Sequence, residues 1–343
     1  MIPAVSHAAY DAARQHAALI DRSNRGRIVV SGADRAAYLQ GLLTNDVVAL
    51  KAGQGCYAAY LTAQGRMIAD LHVYELGDVM LLTMAGDVKD GVLAKLDQFI
   101  FTEDVQLGDV TDTFAQIAVV GPQAAQAIAG VVTGLSLERL RNLAEHANVR
   151  APWDGGAAIV TRITDTGEPG FDLYVERAQA GALKTALGAV DVVEADEPVA
   201  EALRIESGVP LFRRDMGEDT IPLEAGIESR AISFTKGCYV GQEVVIRVLH
   251  RGHGRVARKL VGLLIDGQQV PAAGAVIRSG EREIGRVTSS TQSPALKRPI
   301  ALGYVHRDFV ESGTKVTVND TTAEVTTLPF VEPVSRPLAD GTV

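Results

Sequence analysis

The chain changes its sequence pattern at about residue 245, and this change restricts the fold to a mixed body followed by a smaller domain. Up to that point, short apolar runs alternate with segments of helical spacing. Beyond it, short β-rich runs are separated by Gly, Pro and Asp turns, without a convincing helix. The 343 residues also exceed the size at which one core stops growing, roughly 250 to 300 residues. We therefore predict an α+β body over residues 1–245 and a small all-β barrel or sandwich over residues 246–343.

One predicted strand of the body carries polar residues on a single face. Apolar residues occupy alternate positions from Met67 to Val73, which leaves Asp70 and His72 on the opposite face. A carboxylate beside an imidazole can perform acid–base chemistry, but such a face is also typical of the solvated side of a hairpin. The other predicted elements are a strand and helix over 28–43, strands over 56–62, 79–86 and 116–122, helices over 87–99, 122–131, 178–188 and 198–207, and a hairpin over 157–176.

The charge balance and the N-terminus indicate a cytoplasmic protein. The 33 Lys and Arg residues against 42 Asp and Glu residues give a net charge of −9, which offers no general attraction to nucleic-acid phosphates. The N-terminus lacks a basic region followed by an apolar core, and no run approaches the 18 apolar residues of a membrane span. We predict cytoplasmic localisation, no membrane contact and two reduced thiols, Cys56 and Cys238.

Cys238 lies in the least ordinary stretch of the chain, ISFTKGCYVGQEVVIRVLHRG. Nearby cations, Lys236 first among them, favour a thiolate, and Gly237 and Gly241 allow a sharp turn or a close approach to a ligand. A buried cysteine that fills a tight turn fits the same spacing, so the residues leave both interpretations open. An iron–sulfur cluster held by this chain alone is not predicted, because two cysteines cannot supply the usual four ligands.

The end of that stretch raises two further possibilities. His250 and His253 flank Gly252, but a structural zinc site needs four ligands, so no metal site is predicted. The basic run Arg247, Arg251, Arg255, Arg258 and Lys259 could bind tRNA or protein. Its alternation instead favours one solvated strand face, and nucleic acid is not expected to be the primary ligand.

Two charged residues far from Cys238 are candidates for ligand binding. Glu168 lies in the tip of the predicted hairpin, where it could be solvated or could accept two parallel N–H bonds from a heterocycle with an amidine-like edge, such as a pterin. Arg204 lies on a predicted helix, where an intrahelical pair with Glu201 or Glu206 is the simpler interpretation.

Several of these stretches together resemble one protein family. The segment KGCYVGQE, with ISFT before it and VVIRVLHRG after it, resembles the signature of the YgfZ-type folate-binding proteins, whose mitochondrial relatives assist iron–sulfur protein maturation. The segments YLQGLLTNDV, TRITDTGEPGFD, EALRIESGVP, IGRVTSSTQSPAL and IALGYV resemble the wider superfamily that includes the T-protein of glycine cleavage. The resemblance covers about residues 25 to 330.

The resemblance implies a fold, a ligand and a set of site residues. The fold would be a discontinuous pair of α+β domains around a central channel, with a C-terminal antiparallel β-barrel. The ligand would be tetrahydrofolate or a one-carbon-substituted derivative. The residues that match or adjoin the family's folate site are Glu168, Arg204, Asn45 and Tyr239, and those placed at the chemistry are Cys238, Lys236 and Asp70.

The resemblance also leaves two functions open. In one, the chain is a folate-binding accessory factor that transiently meets iron–sulfur client proteins for assembly or repair and indirectly supports tRNA modification. In the other, it is a folate-dependent aminomethyltransferase or demethylase. The T-protein hairpin carries two adjacent aspartates where this chain has Ala69 and Asp70, and the T-protein lacks the cysteine signature. These departures favour the accessory factor.

Overall fold

The computed structural model describes residues 5–250 and 255–333, apart from the side chain of residue 250. Over these residues the chain forms a five-stranded sheet, a six-stranded sheet and a closed six-stranded barrel. Helices pack on the sheets, so the predicted α+β body followed by an antiparallel β-barrel is confirmed.

The N-terminal part of the chain supplies the first sheet and one strand of the second. Its elements are α1 (His7–Gln15), β1 (Ala18–Asp21), β2 (Gly26–Ser31), α2 (Arg35–Leu42), β3 (Gly55–Leu61), β4 (Met67–Glu75), β5 (Met80–Met84), α3 (Lys89–Asp97) and β6 (Gln106–Asp109). The first sheet has the order β3-β4-β5-β2-β6. Alternate residues of β4 are buried from Met67 to Val73, which confirms the predicted two-residue period.

The second sheet is built from two separate parts of the chain. Its further elements are β7 (Phe114–Val120), α4 (Ala124–Val131), α5 (Leu137–Arg141), β8 (Asn148–Trp153), β9 (Gly156–Ile163), β10 (Gly170–Glu176), α6 (Ala180–Gly188), β11 (Val193–Glu194) and α7 (Glu197–Glu206). The strand order is β11-β1-β7-β10-β9-β8, so β1 lies between strands that follow it by about 100 residues or more. Strands β9 and β10 pair from Gly170 opposite Ile163, which confirms the predicted hairpin.

Three short helices lead into the barrel. The remaining elements are α8 (Pro222–Ala225), α9 (Glu228–Ala231), α10 (Gln242–His250), β12 (Arg258–Ile265), β13 (Val276–Ser279), β14 (Arg282–Ser293), β15 (Arg298–His306), β16 (Lys315–Val318) and β17 (Thr321–Thr326). The barrel closes in the order β12-β15-β14-β13-β16-β17, and every strand pair in it is antiparallel.

Helix α10 shows that the prediction of no helix beyond about residue 245 was wrong. Its β-branched residues resemble those of a strand, yet Val245, Val248 and Leu249 follow helical spacing. All three pack against the core of the first sheet, and this packing outweighs the weaker helix propensity of valine. The predicted boundary between residues 245 and 246 therefore falls inside a helix.

The basic run is likewise not a single strand face. Arg247 is an exposed residue of α10, whereas Arg258 begins β12 and pairs with Asp219 at 2.9 Å and Glu224 at 3.2 Å. Arg251 and His253, the second of which was considered and not predicted as a zinc ligand, lie outside the described residues.

The two sheets meet across a partly polar interior. Tyr74 of β4 and Tyr174 of β10 lie with their ring centroids 6.3 Å apart. Arg27 of β2 is fully buried, and its Nη2 donates to the Thr111 carbonyl at 2.6 Å while its Nη1 reaches Gln116 Oε1 of β7 at 3.4 Å. These bonds hold the buried guanidinium group of Arg27 in place.

Candidate functional site

Asp70 lies in this interior between the sheets. Its carboxylate accepts a hydrogen bond of 2.7 Å from the hydroxyl of Tyr57 on the neighbouring strand β3. Burial raises the pKa of Asp70 above the usual value, although the Tyr57 hydrogen bond and the charges of Arg25 and Arg230 act in the opposite direction. A carboxyl group with a raised pKa can hold and release a proton closer to neutral pH.

Two histidines adjoin Asp70, one of which the sequence did not indicate. The rings of His72 and His146 lie 5.1 Å apart, and His72 is also 5.1 Å from the ring of Tyr57. Burial lowers the pKa of His146 to about 4 and that of His72 well below 6.5, so both imidazoles are neutral near pH 7. His146 has a positive φ of 61° in an irregular segment, which no local pattern reveals.

A cavity of about 600 Å³ opens beside this polar interior. Residues of its wall come from the loop between β1 and β2, the tip of the β9–β10 hairpin and the helix α7; they include Arg22, Arg25, Asp165, Thr166 and Arg204. Arg22 connects the cavity to the interior, since it pairs with Asp165 at 2.8 Å and with Asp172 of β10 at 3.2 Å. The volume is that of a drug-sized ligand, for which sites of about 300 to 1,000 Å³ are typical.

Glu168 lies in the same hairpin tip as Asp165 and Thr166 but is not among the residues that line the cavity. Its side chain is fully buried, and its Oε1 accepts a hydrogen bond of 2.6 Å from Arg14 Nη1 of helix α1. Arg14 also pairs with the buried Glu206, which accepts a 2.6 Å bond from Tyr10. The hairpin tip is therefore not a solvated turn, and the sequence missed Arg14 because its partners are more than 150 residues away.

Arg204 lines the cavity and joins three parts of the molecule. It forms the predicted pair with Glu201 of its own helix, and its Nη1 also donates to Asp215 Oδ2 at 2.5 Å. Its Nη2 donates a hydrogen bond of 2.6 Å to Ser289 Oγ on barrel strand β14, and its Nη1 donates one of 3.3 Å to the Val209 carbonyl. Together with a second bond to Glu201, donated by Nη2, these contacts occupy all five N–H donors of the guanidinium group.

Lys236 and Asn45 hold the loop that carries Cys238. The Lys236 ammonium donates to the carbonyls of Gln40, Leu43 and Asn45 at 2.7, 2.7 and 2.8 Å, at the C-terminal end of α2. Burial lowers the pKa of Lys236 to about 8. Its three donors are all used, so within the described part of the chain no N–H of Lys236 is left for the Cys238 thiol.

The Asn45 side chain also makes structural contacts. Its Nδ2 donates to the carbonyls of Tyr57 at 2.8 Å and Arg230 at 3.1 Å. These bonds connect the end of α2 with β3 and α9, in addition to the predicted role of ending the helix.

Cys238 itself is exposed. The adjacent Tyr239 is buried, its ring lies 5.2 Å from the Lys236 ammonium, and burial raises its pKa to about 12. Cys238 is therefore not a buried turn filler, and its thiol is accessible to a partner of the protein.

Replacing Lys236 with methionine is expected to lower the free energy of unfolding by about 1 to 3 kcal/mol, because three carbonyls lose their donor. The measurement is urea denaturation followed by circular dichroism. The matched control in the same loop is Cys238→Ser, which should stay within about 0.5 kcal/mol of wild type because Cys238 is exposed. Equal stability of Lys236→Met and wild type would remove this anchoring role.

The residues that the structure describes contain no group of three or more His, Cys, Asp or Glu side chains arranged to hold a metal ion. Among the described helices, none is both long enough and apolar enough to cross a membrane.

The two sheets, the closed barrel and the cavity of about 600 Å³ form an architecture with room for a small polar ligand. Residues 3–236 match the GCVT N-terminal domain, and residues 258–332 match the glycine cleavage T-protein C-terminal barrel domain. The chain therefore belongs to the glycine cleavage T-protein family.

Individual relatives agree with this assignment. An aminomethyltransferase of Rubrobacter xylanophilus is 33% identical over 327 residues, which cover 94% of this chain and 85% of the relative. One of Geobacillus kaustophilus is 32% identical over 317 residues, covering 90% and 84%. The crystal structure of glycine cleavage system aminomethyltransferase T from Bartonella henselae matches with a TM-score of 0.86 and 28% identity, covering 95% of this chain and 89% of that one. Aminomethyltransferases use tetrahydrofolate, which supports the predicted folate cofactor.

Proposed function

We propose that this chain binds tetrahydrofolate or a one-carbon-substituted derivative and acts as a folate-dependent transferase of the aminomethyltransferase type. The observation that carries the proposal is the half-buried Asp70 carboxylate, which Tyr57 orients and on which the charge of the cavity residue Arg25 acts, in a chain of this family. The buried Thr166 hydroxyl on the cavity wall has no hydrogen-bond partner among the described residues, as expected of a group that meets a polar ligand.

The residues near the interior suggest how the reaction proceeds. Bound tetrahydrofolate supplies the nitrogen that accepts a one-carbon unit. Asp70, whose orientation Tyr57 fixes, would take up a proton released during transfer or stabilise positive charge that develops beside it. The raised pKa of Asp70 suits a proton acceptor, and the neutral His72 adds no competing charge.

Glu168 is our proposed acceptor for the amino edge of the pterin. Each carboxylate oxygen has two acceptor positions, so the bond from Arg14 to Oε1 is compatible with N–H bonds from a ligand. Arg14 stabilises the charged carboxylate in a fully buried place, where it would otherwise be costly. Arg204, Asn45 and Tyr239 would contribute by shaping the surroundings of the ligand.

A second candidate function is the accessory factor for iron–sulfur proteins. One observation favours it specifically: Cys238 is exposed, so it could meet a cluster or a sulfur species on a client protein. Formation of methylenetetrahydrofolate and ammonia from an aminomethyl donor, whose carbon is already at the oxidation level of formaldehyde, would support the transferase. Intact folate binding without turnover of several donors would favour the accessory factor.

The direct test of folate binding is calorimetry with tetrahydrofolate. The isosteric variant Glu168→Gln is expected to bind about tenfold to hundredfold more weakly, because a carboxylate that accepts two N–H bonds is replaced by an amide with one oxygen. The matched control is Glu176→Gln at the exposed end of β10, which should bind like wild type. Equal binding by Glu168→Gln and wild type would remove Glu168 from the site.

A further inference from the structure

The charged groups that line the cavity include four arginines, of which three are each paired with two carboxylates. The pairs are Arg22 with Asp165 and Asp172, Arg204 with Glu201 and Asp215, and Arg214 with Glu197 and Glu201. Each of these three arginines therefore already has carboxylate partners within the protein.

The carboxylates of the same wall are also partnered. Three of them belong to the pairs just given, two bind one lysine, and one caps a helix. Asp21 and Glu194 pair with Lys184 at 2.8 and 3.0 Å, and Asp196 accepts a bond from the Val199 amide at the start of α7. Each of these six carboxylates therefore already has a partner within the protein, and none of them is an ion-pair partner of Arg25.

Arg25 differs from the other charged groups of the cavity. Among the described residues, no carboxylate lies within 4.0 Å of its guanidinium group, and its buried Nε has no hydrogen-bond acceptor. The terminal nitrogens of Arg25 also donate no hydrogen bond to the described residues, and a carboxylate on a ligand would accept from both of them.

The backbone around Arg25 is held in place before any ligand arrives. The Arg25 amide bonds to the Arg22 carbonyl at 2.9 Å, and Arg27 Nη2 bonds to the Ser23 carbonyl at 3.0 Å. Gly86 packs so closely against this loop that a Cβ there would lie 2.1 Å from the Asn24 carbonyl oxygen. A preorganised position lowers the entropic cost of binding.

We propose that Arg25 binds a carboxylate of the cavity's ligand and thereby selects for a carboxylate-bearing folate. The inference rests on the proposed folate function and adds a specificity-determining residue to it. The carboxylates of tetrahydrofolate belong to its glutamyl part, so Arg25 recognises that part rather than the pterin. The planar guanidinium is suited to this task, because its N–H groups match both oxygens of a carboxylate.

The test compares two ligands of which only one carries carboxylates. Calorimetry is performed with tetrahydrofolate and with 6-methyltetrahydropterin, which keeps the reduced pterin but has no carboxylate, on wild type and on Arg25→Gln. We expect Arg25→Gln to bind tetrahydrofolate about tenfold to hundredfold more weakly and to bind 6-methyltetrahydropterin as wild type does. Arg25→Lys keeps the positive charge but loses the planar guanidinium group. Its affinity for tetrahydrofolate should therefore lie between those of wild type and Arg25→Gln.

Two controls address charge and folding. Arg214→Gln removes a positive charge from the same wall, but from a group that is already paired, so its folate affinity should stay close to that of wild type. Thermal unfolding without ligand should show Arg25→Gln at least as stable as wild type, because the variant removes an unsatisfied buried donor.

A third ligand, p-aminobenzoylglutamate, separates this proposal from the folate function. If wild type fails to bind tetrahydrofolate but binds p-aminobenzoylglutamate through Arg25, the folate function is wrong and the carboxylate site stands. Equal losses of affinity for tetrahydrofolate and 6-methyltetrahydropterin in Arg25→Gln, or no loss of affinity for any of the three ligands, would overturn the proposal.

Discussion

Replacing Arg14 with alanine is expected to lower the free energy of unfolding by about 3 to 5 kcal/mol, because the change leaves two fully buried carboxylates without their shared cation. The effect should be large because Arg14 connects three regions. Glu168 belongs to the hairpin of the second sheet, and Glu206 ends α7 and accepts a bond from Ser293 Oγ of the barrel. Urea denaturation followed by circular dichroism measures the loss.

The control for this prediction is Arg139→Ala. Arg139 is an exposed arginine on α5, and its loss should change stability by no more than about 0.5 kcal/mol. Tyr10→Phe removes the hydroxyl that donates to Glu206 and accepts from Arg14 Nε, and should give an intermediate loss of about 1.5 to 3 kcal/mol. An Arg14→Ala variant as stable as Arg139→Ala would show that the ion pairs do not hold these regions together.

Replacing Asp70 with asparagine is expected to slow methylenetetrahydrofolate formation by about 100-fold to 10,000-fold, the range typical of losing a general acid–base group. Asparagine keeps the shape of the side chain and can still accept the Tyr57 hydrogen bond, so folate affinity should change little. The wild-type rate should fall as the pH drops through the raised pKa of Asp70, because the protonated carboxyl group cannot accept a proton.

Tyr57→Phe distinguishes a chemical role of Asp70 from a structural one. The Tyr57 hydrogen bond stabilises the charged form of Asp70, so its loss should raise the pKa of Asp70 further and shift the acid limb of the pH–rate profile to higher pH. Unchanged turnover in Asp70→Asn, with folate binding intact, would exclude Asp70 from the reaction.

The sequence predicted those features that depend on neighbouring residues. The two-residue period from Met67 to Val73 placed Asp70 on the polar face of β4, and the turn residues at 165–170 marked the β9–β10 hairpin. It also indicated Glu168 and Arg204 as site candidates through their local motifs. The helix over 242–250 was missed because valine-rich stretches favour strands locally, and packing against the first sheet decides otherwise.

The sequence by itself determined the α+β body, the C-terminal barrel and the strand face that carries Asp70, because periodicity and turn chemistry are properties of short segments. Only the tertiary structure decided how the charges are partnered. In the folded chain Arg14 lies beside Glu168, and the Lys236 ammonium donates to backbone carbonyls. Arg25 has no carboxylate partner among the described residues. The physical reason is that an ion pair depends on distance in space, and no local pattern encodes which groups meet across more than 100 residues.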